Sequence, residues 1–395
     1  MAKKSVRDIA WQGKRALVRV DFNVPYERGT NRISDDVRIR EALPTIEYLR
    51  SAGAKVVLCT HFGRPGGKPS PGLELGPIAE RLSELLNAPV AYVHTAVGGE
   101  AAAKVEAMQP GDVVLLENIR FWPGEEANDP EFAKALASLA DVYVNDAFGA
   151  AHRAHASTEG VAHHLPAVAG LLMEKEVTFL GKVLEAPDRP LAAVLGGAKV
   201  SDKLKVLERL IGHANALYVG GGMAATFLKA KGLAIGASLL EEDLVGFCAD
   251  AMARAETQNV ALNLPTDVII AKKLEAGAPS RAVPVNEVPD DSMVLDIGPE
   301  TARRYASELA AMGTVVWNGP MGVFEVPPFD RGTRLVAEAI AASNATSIIG
   351  GGSTAEAVGA LGLASKMTHV STGGGASLEF LEGKVLPGVA ALNDQ

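Results

Sequence analysis

The stretch that decides the fold is 191–203, which reads LAAVLGGAKVSDK. Its first five residues are apolar and predict a buried strand, and the glycine pair that follows allows a sharp turn. Ser201 is expected to cap a helix, with Lys199 before the cap and Lys203 in the first helical turn. A positively charged side chain in the first turn is repelled by the positive end of the helix dipole. Its presence is easier to explain if an anion binds at the same turn. The alternative is a solvated surface lysine beside Asp202.

The same alternation of strand-like and helix-like runs recurs along almost the whole chain. In the first half, strands are predicted over 15–24, 54–60, 112–116 and 140–145, and helices over 37–52 and 77–86. In the second half, strands are predicted over 191–195, 216–219, 268–271, 314–317, 346–349 and 368–371. This alternation is typical of parallel sheets built from βαβ units. The predicted fold class is therefore α/β.

The length of the chain suits two domains. It has 395 residues, and a domain typically takes roughly 100 to 200. Between the halves, 170–186 reads GLLMEKEVTFLGKVLEA, whose apolar residues recur at helical spacing. We interpret this segment as a helix that connects two domains. The alternative is an ordinary surface helix of one of them.

The composition argues against several classes of function. The net charge of −9 disfavours nucleic acid or an acidic membrane surface as the main partner, since both need a broad basic surface. The two cysteines, Cys59 and Cys248, fit neither a disulfide framework nor a metal or redox motif. The N-terminal run MAKKSVRDIAWQGKR lacks the apolar core of a signal peptide, and no run is long enough to span a bilayer. We therefore expect a cytoplasmic protein.

Glycine-rich turns follow four predicted strands of the second half, at 196–197, 220–222, 350–352 and 373–375. Glycine lets a ligand approach the main chain, and a helix that starts after such a turn suits phosphate. Ligands of parallel sheets bind at the carboxyl ends of the strands, so these turns favour a nucleotide site. No Walker A pattern occurs. Two segments fit a loosened G-x-G-x-x-A without the expected acidic residue, so a dehydrogenase remains the alternative.

Basic and polar side chains follow the predicted strands of the first half. They are Arg19, Asp21, Asn23, Arg38, His61, Arg64, Arg120, His152, Arg153 and His155. Because the carboxyl ends of parallel strands share one edge, we expect these residues to converge there. Arginine forks match phosphate and carboxylate, so the cluster suits a compact polyanion. For any single arginine, a surface salt bridge is the alternative; a metal pair of His152 and His155 is disfavoured because Arg153 between them would repel a cation.

A series of long motifs spans nearly the whole chain. They are VRVDFNVP, HFGRP, LLENIRF, NDAFGAAHRAHAST, VLGGAKVSDK, GGGMAATF, DIGPET, WNGPMGVFE and STGGGASLEFLEGKVLPGVAAL. In sequence and in order, they resemble the motifs of the phosphoglycerate kinase family. The resemblance implies a glycolytic kinase that transfers a phosphoryl group reversibly between ATP and the carboxylate of 3-phosphoglycerate, giving ADP and 1,3-bisphosphoglycerate.

The resemblance also implies a domain organisation. Two doubly wound, Rossmann-like domains are expected, a phosphoglycerate-binding one over 1–169 and a nucleotide-binding one over 187–377. The helix over 170–186 would join them as a hinge, and the tail 378–395 would pack back on the first domain. The expected partners are 3-phosphoglycerate and ATP or ADP with magnesium, bound by a monomer that closes around them.

Roles carry over from the family position by position. The resemblance implies a phosphoglycerate site made of Asp21, Phe22, Asn23, Arg38, His61, Phe62, Gly63, Arg64, Arg120 and Arg153. It implies a nucleotide site made of Gly197, Lys199, Lys203, Asn318, Glu325, Gly350, Gly351, Gly352, Ser353, Thr354, Gly373, Gly374 and Gly375, with Glu325 at the ribose. Arg38, Lys203 and Lys199 are the expected catalytic residues.

One position departs from the family pattern. The run GGGSTAEAV has Ser353 where the family commonly has an aspartate associated with the metal–nucleotide complex. A hydroxyl is a weaker magnesium ligand than a carboxylate. We therefore expect the ion to be held mainly by nucleotide phosphates and waters, with Ser353 as the one candidate protein ligand.

The implied reaction needs no general base, because a carboxylate nucleophile is already ionised at neutral pH. Catalysis must then come from alignment of the reactants and from neutralising charge on the transferred group. A two-lobed protein that clamps an anion without chemistry is the second class of function that the sequence leaves open.

Overall fold

The computed structural model describes residues 3–27 and 29–395. The chain divides into two units, the first formed by Met1–Thr178 with Val385–Gln395 and the second by Phe179–Lys384. Within the described residues, no helix combines the length and the apolar character that crossing a bilayer requires.

A parallel sheet forms the centre of the first unit. Its strands are β1 (Arg15–Arg19), β2 (Lys55–Cys59), β3 (Val90–Tyr92), β4 (Val113–Leu115), β5 (Val142–Asn145) and β6 (Ala167–Ala169). In the described part of the chain they form one six-stranded sheet in the order β3-β4-β2-β1-β5-β6, and neighbouring strands run parallel. The central strands are buried on both faces, which explains their continuous apolar sequences.

Helices cover this sheet. They are α1 (Val37–Ser51), α2 (Gly76–Leu86), α3 (Gly99–Glu106), α4 (Pro123–Glu126), α5 (Pro130–Ala137) and the first part of α6 (Leu171–Glu185). Ile39 and Ile46 of α1 and Leu82 of α2 are fully buried and share a core with Val18 of β1 and Leu58 of β2. These apolar stripes recur every three to four residues, as expected for helices that pack one face on a sheet.

The second unit contains a second parallel sheet. Its strands are β7 (Leu191–Leu195), β8 (Ala216–Val219), β9 (Ala261–Asn263), β13 (Thr314–Asn318), β14 (Thr346–Gly350) and β15 (His369–Val370). Among the described residues the order is β15-β14-β13-β7-β8-β9, again with parallel neighbours. Trp317 of β13 and Tyr218 of β8 are central to its core. The α/β prediction with doubly wound parallel sheets is confirmed.

The predicted strand over 268–271 does not belong to this parallel sheet. It is β10 (Asp267–Ala271), which pairs antiparallel with β11 (Ser280–Pro284) and β12 (Met293–Ile297) in a separate small sheet. The connection 272–279 between the paired strands β10 and β11 is too short for the crossover that a parallel pair needs, so these two strands pair antiparallel.

Seven further α-helices cover the second unit in the described part of the chain. They are α7 (Leu204–Ile211), α8 (Met223–Ala230), α9 (Val245–Thr257), α10 (Pro299–Leu309), α11 (Arg331–Ala342), α12 (Gly352–Ala360) and α13 (Gly375–Leu381). The short α14 (Pro387–Ala390) belongs to the first unit, where Asn145 Nδ2 donates to the Gly388 carbonyl over 3.1 Å.

Several predicted strands are too long, and the largest excess is at 15–24, where the strand ends at Arg19. The strands predicted over 54–60, 112–116, 140–145 and 368–371 are confined to Lys55–Cys59, Val113–Leu115, Val142–Asn145 and His369–Val370. After Arg19 the chain leaves the sheet as a buried loop, in which Val20 and Phe22 are 0% exposed. Apolar residues therefore continue past the strand, and composition alone does not mark where pairing stops.

The start of α6 depends on a buried carboxylate. Asp146 is fully buried after β5, and its Oδ1 accepts hydrogen bonds from the backbone N–H of Leu172 (2.9 Å) and of Met173 (3.2 Å). A methyl group at Gly170 would lie 2.1 Å from this oxygen, so the position requires glycine. Burial raises the pKa of Asp146 to about 7.

The substitution Asp146→Asn tests this titration, because it keeps the Oδ1 acceptor and removes the ionisable group. The folded state holds a proton that the unfolded chain releases near pH 4, so this contribution to stability is present below that pH. This contribution is lost as the pH rises through about 7. Over that pH range we therefore expect the free energy of unfolding to fall further in the unmutated protein than in Asp146→Asn, by on the order of a few kcal/mol.

Urea unfolding of both proteins at several pH values between about 4 and 8 measures this difference. Asp296, whose pKa burial raises to about 8, is common to both proteins and cancels in the comparison. Parallel pH dependences of the two proteins would contradict the assignment.

Candidate functional site

One edge of the first sheet collects the polar residues that the sequence singles out. Strands β4, β2, β1 and β5 are parallel neighbours, so the segments that follow them leave from the same edge. These segments are 20–23 after β1, 60–64 after β2, 116–120 after β4 and 146–153 after β5. Arg38 joins them from the first turn of α1. The expected convergence after parallel strands therefore places these segments side by side.

Hydrogen bonds tie the loops of this edge together. Arg38 Nη1 donates to Asp21 Oδ2 over 2.7 Å. The Gly63 N–H donates to Asn23 Oδ1 over 2.9 Å, and Arg120 Nη1 donates to the Gly63 carbonyl over 2.8 Å. Burial acts to raise the pKa of Asp21, but the basic side chains around it hold that pKa below its usual value. Asp21 is thus a carboxylate that can partly balance the arginines.

His61 lies inside this cluster and is 6% exposed. Arg19 Nη2 lies 3.1 Å from its Nδ1. Burial lowers the pKa of His61 well below its usual value; the Asp21 carboxylate opposes this shift, and the guanidinium groups of Arg19, Arg120 and Arg153 add to it. At neutral pH the ring is therefore neutral.

The remaining arginines differ in their surroundings. Arg120 is 3% exposed, and its Nε lies 3.2 Å from a Glu126 carboxylate oxygen. Arg153 is half-buried and its Nε donates to His152 Nε2 over 3.3 Å. Arg64 is exposed, and no hydrogen bond or ion pair within 3–27 and 29–395 joins it to the others. A surface salt bridge is the alternative role for any single arginine. Arg120 is buried, so this alternative does not describe it.

Phe22 and Phe62 are packed rather than exposed at this edge. Phe22 is 0% exposed and Phe62 is 6% exposed. Their backbone N–H groups donate to Thr60 Oγ1 (2.9 Å) and Asn118 Oδ1 (3.1 Å). Their rings therefore anchor the loops that carry the polar residues.

In the second unit, the glycine turns lie at the carboxyl ends of parallel strands. Turns 196–197 and 220–222 follow β7 and β8, and turns 350–352 and 373–375 follow β14 and β15. Two of them are needed for packing of backbone on backbone. A methyl group at Gly196 would lie 2.1 Å from the Pro320 carbonyl oxygen, and one at Gly221 would lie 2.6 Å from the Gly197 nitrogen.

The turn at 350–352 is different, because it borders an unsatisfied donor. Asn318, at the end of β13, is 3% exposed, and among the described residues its Nδ2 is buried without a hydrogen-bond partner. A methyl group at Gly351 would lie 3.0 Å from this Nδ2, whereas one at Gly352 would meet nothing within 4 Å. The turn opens α12, whose first N–H groups have no partners within the helix. Such an arrangement suits an anionic oxygen.

Ser353 and Thr354 occupy the first turn of α12. Ser353 is exposed, whereas Thr354 is buried and its Oγ1 accepts a hydrogen bond from the Gly319 N–H over 2.6 Å. Within the described residues, no group of three or more His, Cys, Asp and Glu side chains is placed to hold a metal ion. Ser353 is therefore the hydroxyl of this turn that a ligand can reach.

The prediction that Ser201 caps a helix is wrong. A short 3-10 turn covers Ser201–Lys203, and α7 begins only at Leu204. The hydroxyl of Ser201 donates instead to Glu241, whose carboxylate also accepts from the N–H groups of Val200 (2.6 Å) and Ser201 (3.1 Å). A charged acceptor makes stronger hydrogen bonds than a neutral one, which explains the difference.

The two lysines of this loop have different environments. Lys203 is 8% exposed, and burial lowers the pKa of its ammonium group. A methyl group at Gly197 would lie 3.2 Å from Lys203 Nζ, so the ammonium lies over the glycine turn. Lys199 is exposed. The alternative of a solvated surface lysine therefore fits Lys199 and not Lys203.

Glu325 is exposed in the loop after β13, and the turn 373–375 leads into α13. No sequence pattern points to Glu241, whose carboxylate accepts a hydrogen bond from Ser201 of the lysine loop, 40 positions earlier in the chain. None points to Glu125 and Ser157 either, which are buried behind Arg19. Only the folded contacts reveal these supporting residues.

Fold and site together define a class: α/β proteins of two parallel-sheet units, one with an arginine-rich edge and one with glycine turns and a buried lysine. The chain matches the family model described as "Phosphoglycerate kinase" over residues 6–384. It is 55% identical to the phosphoglycerate kinase of Herpetosiphon aurantiacus and 56% identical to that of Moorella thermoacetica, with 100% of each chain covered. The structure of phosphoglycerate kinase from Coxiella burnetii matches it with a TM-score of 0.90 and 43% identity, covering 98% of both chains.

The chain therefore belongs to the phosphoglycerate kinase family, and the resemblance of its motifs is confirmed. Members of this family are glycolytic phosphotransferases. They transfer a phosphoryl group between ATP and 3-phosphoglycerate, and this chain is an enzyme of that kind.

The carboxylate of Glu241 gives a first test of the nucleotide loop. Glu241→Ala removes the acceptor for two backbone N–H groups and one hydroxyl next to Lys199 and Lys203. We expect the KM for ATP to rise about tenfold, with little change in the KM for 3-phosphoglycerate. Steady-state kinetics measures both constants. The control is Glu242→Ala, which truncates the exposed neighbouring glutamate; equal KM values for ATP in the two variants would contradict the assigned role.

Proposed function

We propose that 3-phosphoglycerate binds at the arginine edge of the first unit and ATP or ADP at the glycine turns of the second. The observation that supports this most is the set of basic residues around one sheet edge, with Asp21 paired to Arg38. A chain of net charge −9 that nevertheless buries Arg120 and places it beside His61 has concentrated its positive charge locally. Such a local concentration suits a small polyanion.

The phosphoglycerate contacts follow from the chemistry of the groups. Guanidinium forks of Arg38, Arg120 and Arg153 match the carboxylate and phosphate of the substrate. Asp21 and Asn23 suit its hydroxyl group. The proposed site also includes the supporting loop residues Phe22, His61, Phe62, Gly63 and Arg64.

The nucleotide contacts are proposed on the second unit. Asn318 Nδ2, which has no hydrogen-bond partner among residues 3–27 and 29–395, and the start of α12 suit phosphate oxygens. Lys203 lies over Gly197, where its ammonium can neutralise charge on the transferred group. Glu325 is proposed at the ribose. The set is completed by Lys199, Ser353, Thr354, Gly350, Gly351, Gly352, Gly373, Gly374 and Gly375.

The chemistry requires alignment rather than proton transfer. The 3-phosphoglycerate carboxylate is ionised at neutral pH and attacks the γ-phosphorus, and ADP leaves as an anion. Arg38 and Lys203 are proposed to neutralise the transferred group, with Lys199 as a helper. The two-domain fold fits closure about a hinge, for which we propose the α6 segment, and closure would exclude water that otherwise hydrolyses ATP.

The domain roles follow from these assignments. We propose that the first unit, with the C-terminal tail, is the phosphoglycerate-binding domain, and that the second unit is the nucleotide-binding domain. We further propose that the enzyme works as a cytoplasmic monomer. The composition of the chain supports the compartment, and the resemblance to the family supports the monomer.

Magnesium is proposed to arrive as part of the nucleotide substrate. The first turn of α12 offers the hydroxyl of Ser353 and no carboxylate, a donor set that fits an ion already coordinated by phosphates and waters. The ion would shield charge on the β- and γ-phosphates. Ser353 would contribute a weak contact at most.

A coupled assay tests the proposed reaction directly. The purified protein is given ATP, magnesium and 3-phosphoglycerate, and formation of 1,3-bisphosphoglycerate is followed through the NADH consumed by an added dehydrogenase. We expect NADH loss that depends on all three additions. No NADH loss would overturn the kinase, and NAD reduction by the protein alone would point to the dehydrogenase alternative.

Arg38→Ala tests the proposed catalytic arginine. By analogy with arginine fingers, we expect turnover to fall by roughly 10³ to 10⁵. The control is Arg40→Ala on the same helix, which removes an exposed guanidinium paired with Asp36. Near-normal turnover of the Arg38 variant, or equal losses in both, would remove Arg38 from the catalytic set.

Ser353→Asp tests how magnesium is held. A carboxylate at the start of α12 would add a strong oxygen ligand, so we expect half-maximal activity at a lower magnesium concentration than in the unmutated enzyme. Ser353→Ala should leave this concentration almost unchanged. Activity is titrated against magnesium at fixed ATP, and a large increase in the requirement of the alanine variant would show that the Ser353 hydroxyl is itself an important ligand.

A further inference from the structure

A chain of buried hydrogen bonds runs behind the arginine edge of the first unit. Arg19 Nε donates to Ser157 Oγ over 2.9 Å, and Ser157 Oγ donates to Glu125 Oε1 over 2.7 Å. The Ser157 N–H donates to the other oxygen of Glu125 over 2.9 Å. Glu125 and Ser157 are 0% exposed and Arg19 is 1% exposed. Neither Glu125 nor Ser157 belongs to the proposed binding residues.

The direction of each hydrogen bond in this chain is fixed. A guanidinium group can only donate, so Ser157 Oγ must accept from Arg19 and direct its own proton to Glu125. The other end of Arg19 lies against His61, with Nη2 at 3.1 Å from Nδ1. By the same rule Nδ1 must accept. A neutral imidazole carries one N–H, which must then be on Nε2.

The orientation of Arg19 is what selects this state of the ring. Its Nη1 donates to the Val20 carbonyl and its Nε to Ser157, which leaves Nη2 for His61. Because Arg19 is buried, water cannot easily replace a lost partner. Without Ser157, the Nε of Arg19 has lost its acceptor and the Val20 carbonyl alone holds the guanidinium beside His61, so the position of Nη2 against Nδ1 is less firmly fixed.

We propose that Glu125 and Ser157 are positioning residues that act through Arg19 to hold His61 as the Nε2–H tautomer, a hydrogen-bond donor for phosphoglycerate oxygens. This proposal rests on the proposed function for the identity of the ligand. The low pKa of His61 supports it, because a protonated ring would have no tautomer to select. His155 Nδ1, at 3.7 Å from Glu125, is too far for a hydrogen bond and does not replace Ser157.

The tautomer has a direct consequence for recognition. A phosphate or carboxylate oxygen accepts hydrogen bonds, so an Nε2–H ring attracts it, whereas an Nε2 lone pair repels it. Loss of one hydrogen bond to a charged group weakens binding by about tenfold or somewhat more. The effect should appear in the KM for 3-phosphoglycerate rather than in the KM for ATP.

The first test uses the unmutated full-length protein labelled with ¹⁵N-histidine. Long-range ¹H–¹⁵N spectra at neutral pH report which ring nitrogen carries the proton, and His61→Gln assigns the signals. We expect the Nδ1 signal of an unprotonated nitrogen and the Nε2 signal of a protonated one. The Nδ1–H tautomer in this spectrum would overturn the proposal without any mutation of the relay.

The second test removes the relay hydroxyl with Ser157→Ala. We expect a mixture of tautomers at His61, a KM for 3-phosphoglycerate raised about tenfold and an unchanged KM for ATP. Ser157→Thr keeps the hydroxyl and should restore the Nε2–H signal. The matched control is Ser347→Ala in the second unit, where a 2% exposed serine hydroxyl accepts from the Thr368 N–H over 2.9 Å.

The outcomes separate a positioning role from a merely structural one. If Ser157→Ala only lowers the melting temperature as Ser347→Ala does, and leaves the His61 tautomer and the KM values unchanged, the proposal is wrong. The tautomer is measured without substrate. Failure of the coupled assay would therefore remove the proposed function, whereas an Nδ1–H spectrum with normal activity would remove only the relay.

Discussion

Parallel strand pairing sends the carboxyl end of every strand to the same edge of its sheet, and both candidate sites depend on this constraint. In the first unit it brings residues from four separate loops around Asp21 and Arg38, although the paired residues Arg19 of β1 and Asn145 of β5 are 126 positions apart in the sequence. In the second unit it aligns the turns that follow β7, β8, β14 and β15. Neither set forms a local motif, so the fold itself creates the sites.

The charged groups at these edges are expensive to bury and are supported accordingly. Arg19 is satisfied by Ser157, Val20 and His61, and Arg120 by the Gly63 carbonyl. Lys203 is buried with a lowered pKa, which is unfavourable unless an anion joins it. Such a buried lysine is therefore consistent with the nucleotide phosphates proposed to bind beside it.

Apolar periodicity and turn chemistry made much of the fold predictable. The strands at 191–195 and 216–219 have the predicted bounds, because glycines end them abruptly. The strand predicted over 15–24 is too long because the buried loop after Arg19 is as apolar as a strand. The parallel sheet predicted to include 268–271 is wrong for that segment, because pairing direction depends on the length of the connection to the next strand. The candidate site was predictable where residues follow strands, but Glu125, Ser157 and Glu241 act through contacts between distant positions that no spacing encodes.

The most direct measurement of the central claim is a crystal structure with 3-phosphoglycerate and the magnesium complex of ADP. The account predicts the phosphoglycerate anion within hydrogen-bond distance of Arg38, Arg120 and Arg153, and His61 donating from Nε2. It predicts the nucleotide phosphates at the start of α12 beside Asn318. Phosphoglycerate bound away from the carboxyl edge of the first sheet, or a nucleotide bound away from the glycine turns, would contradict it.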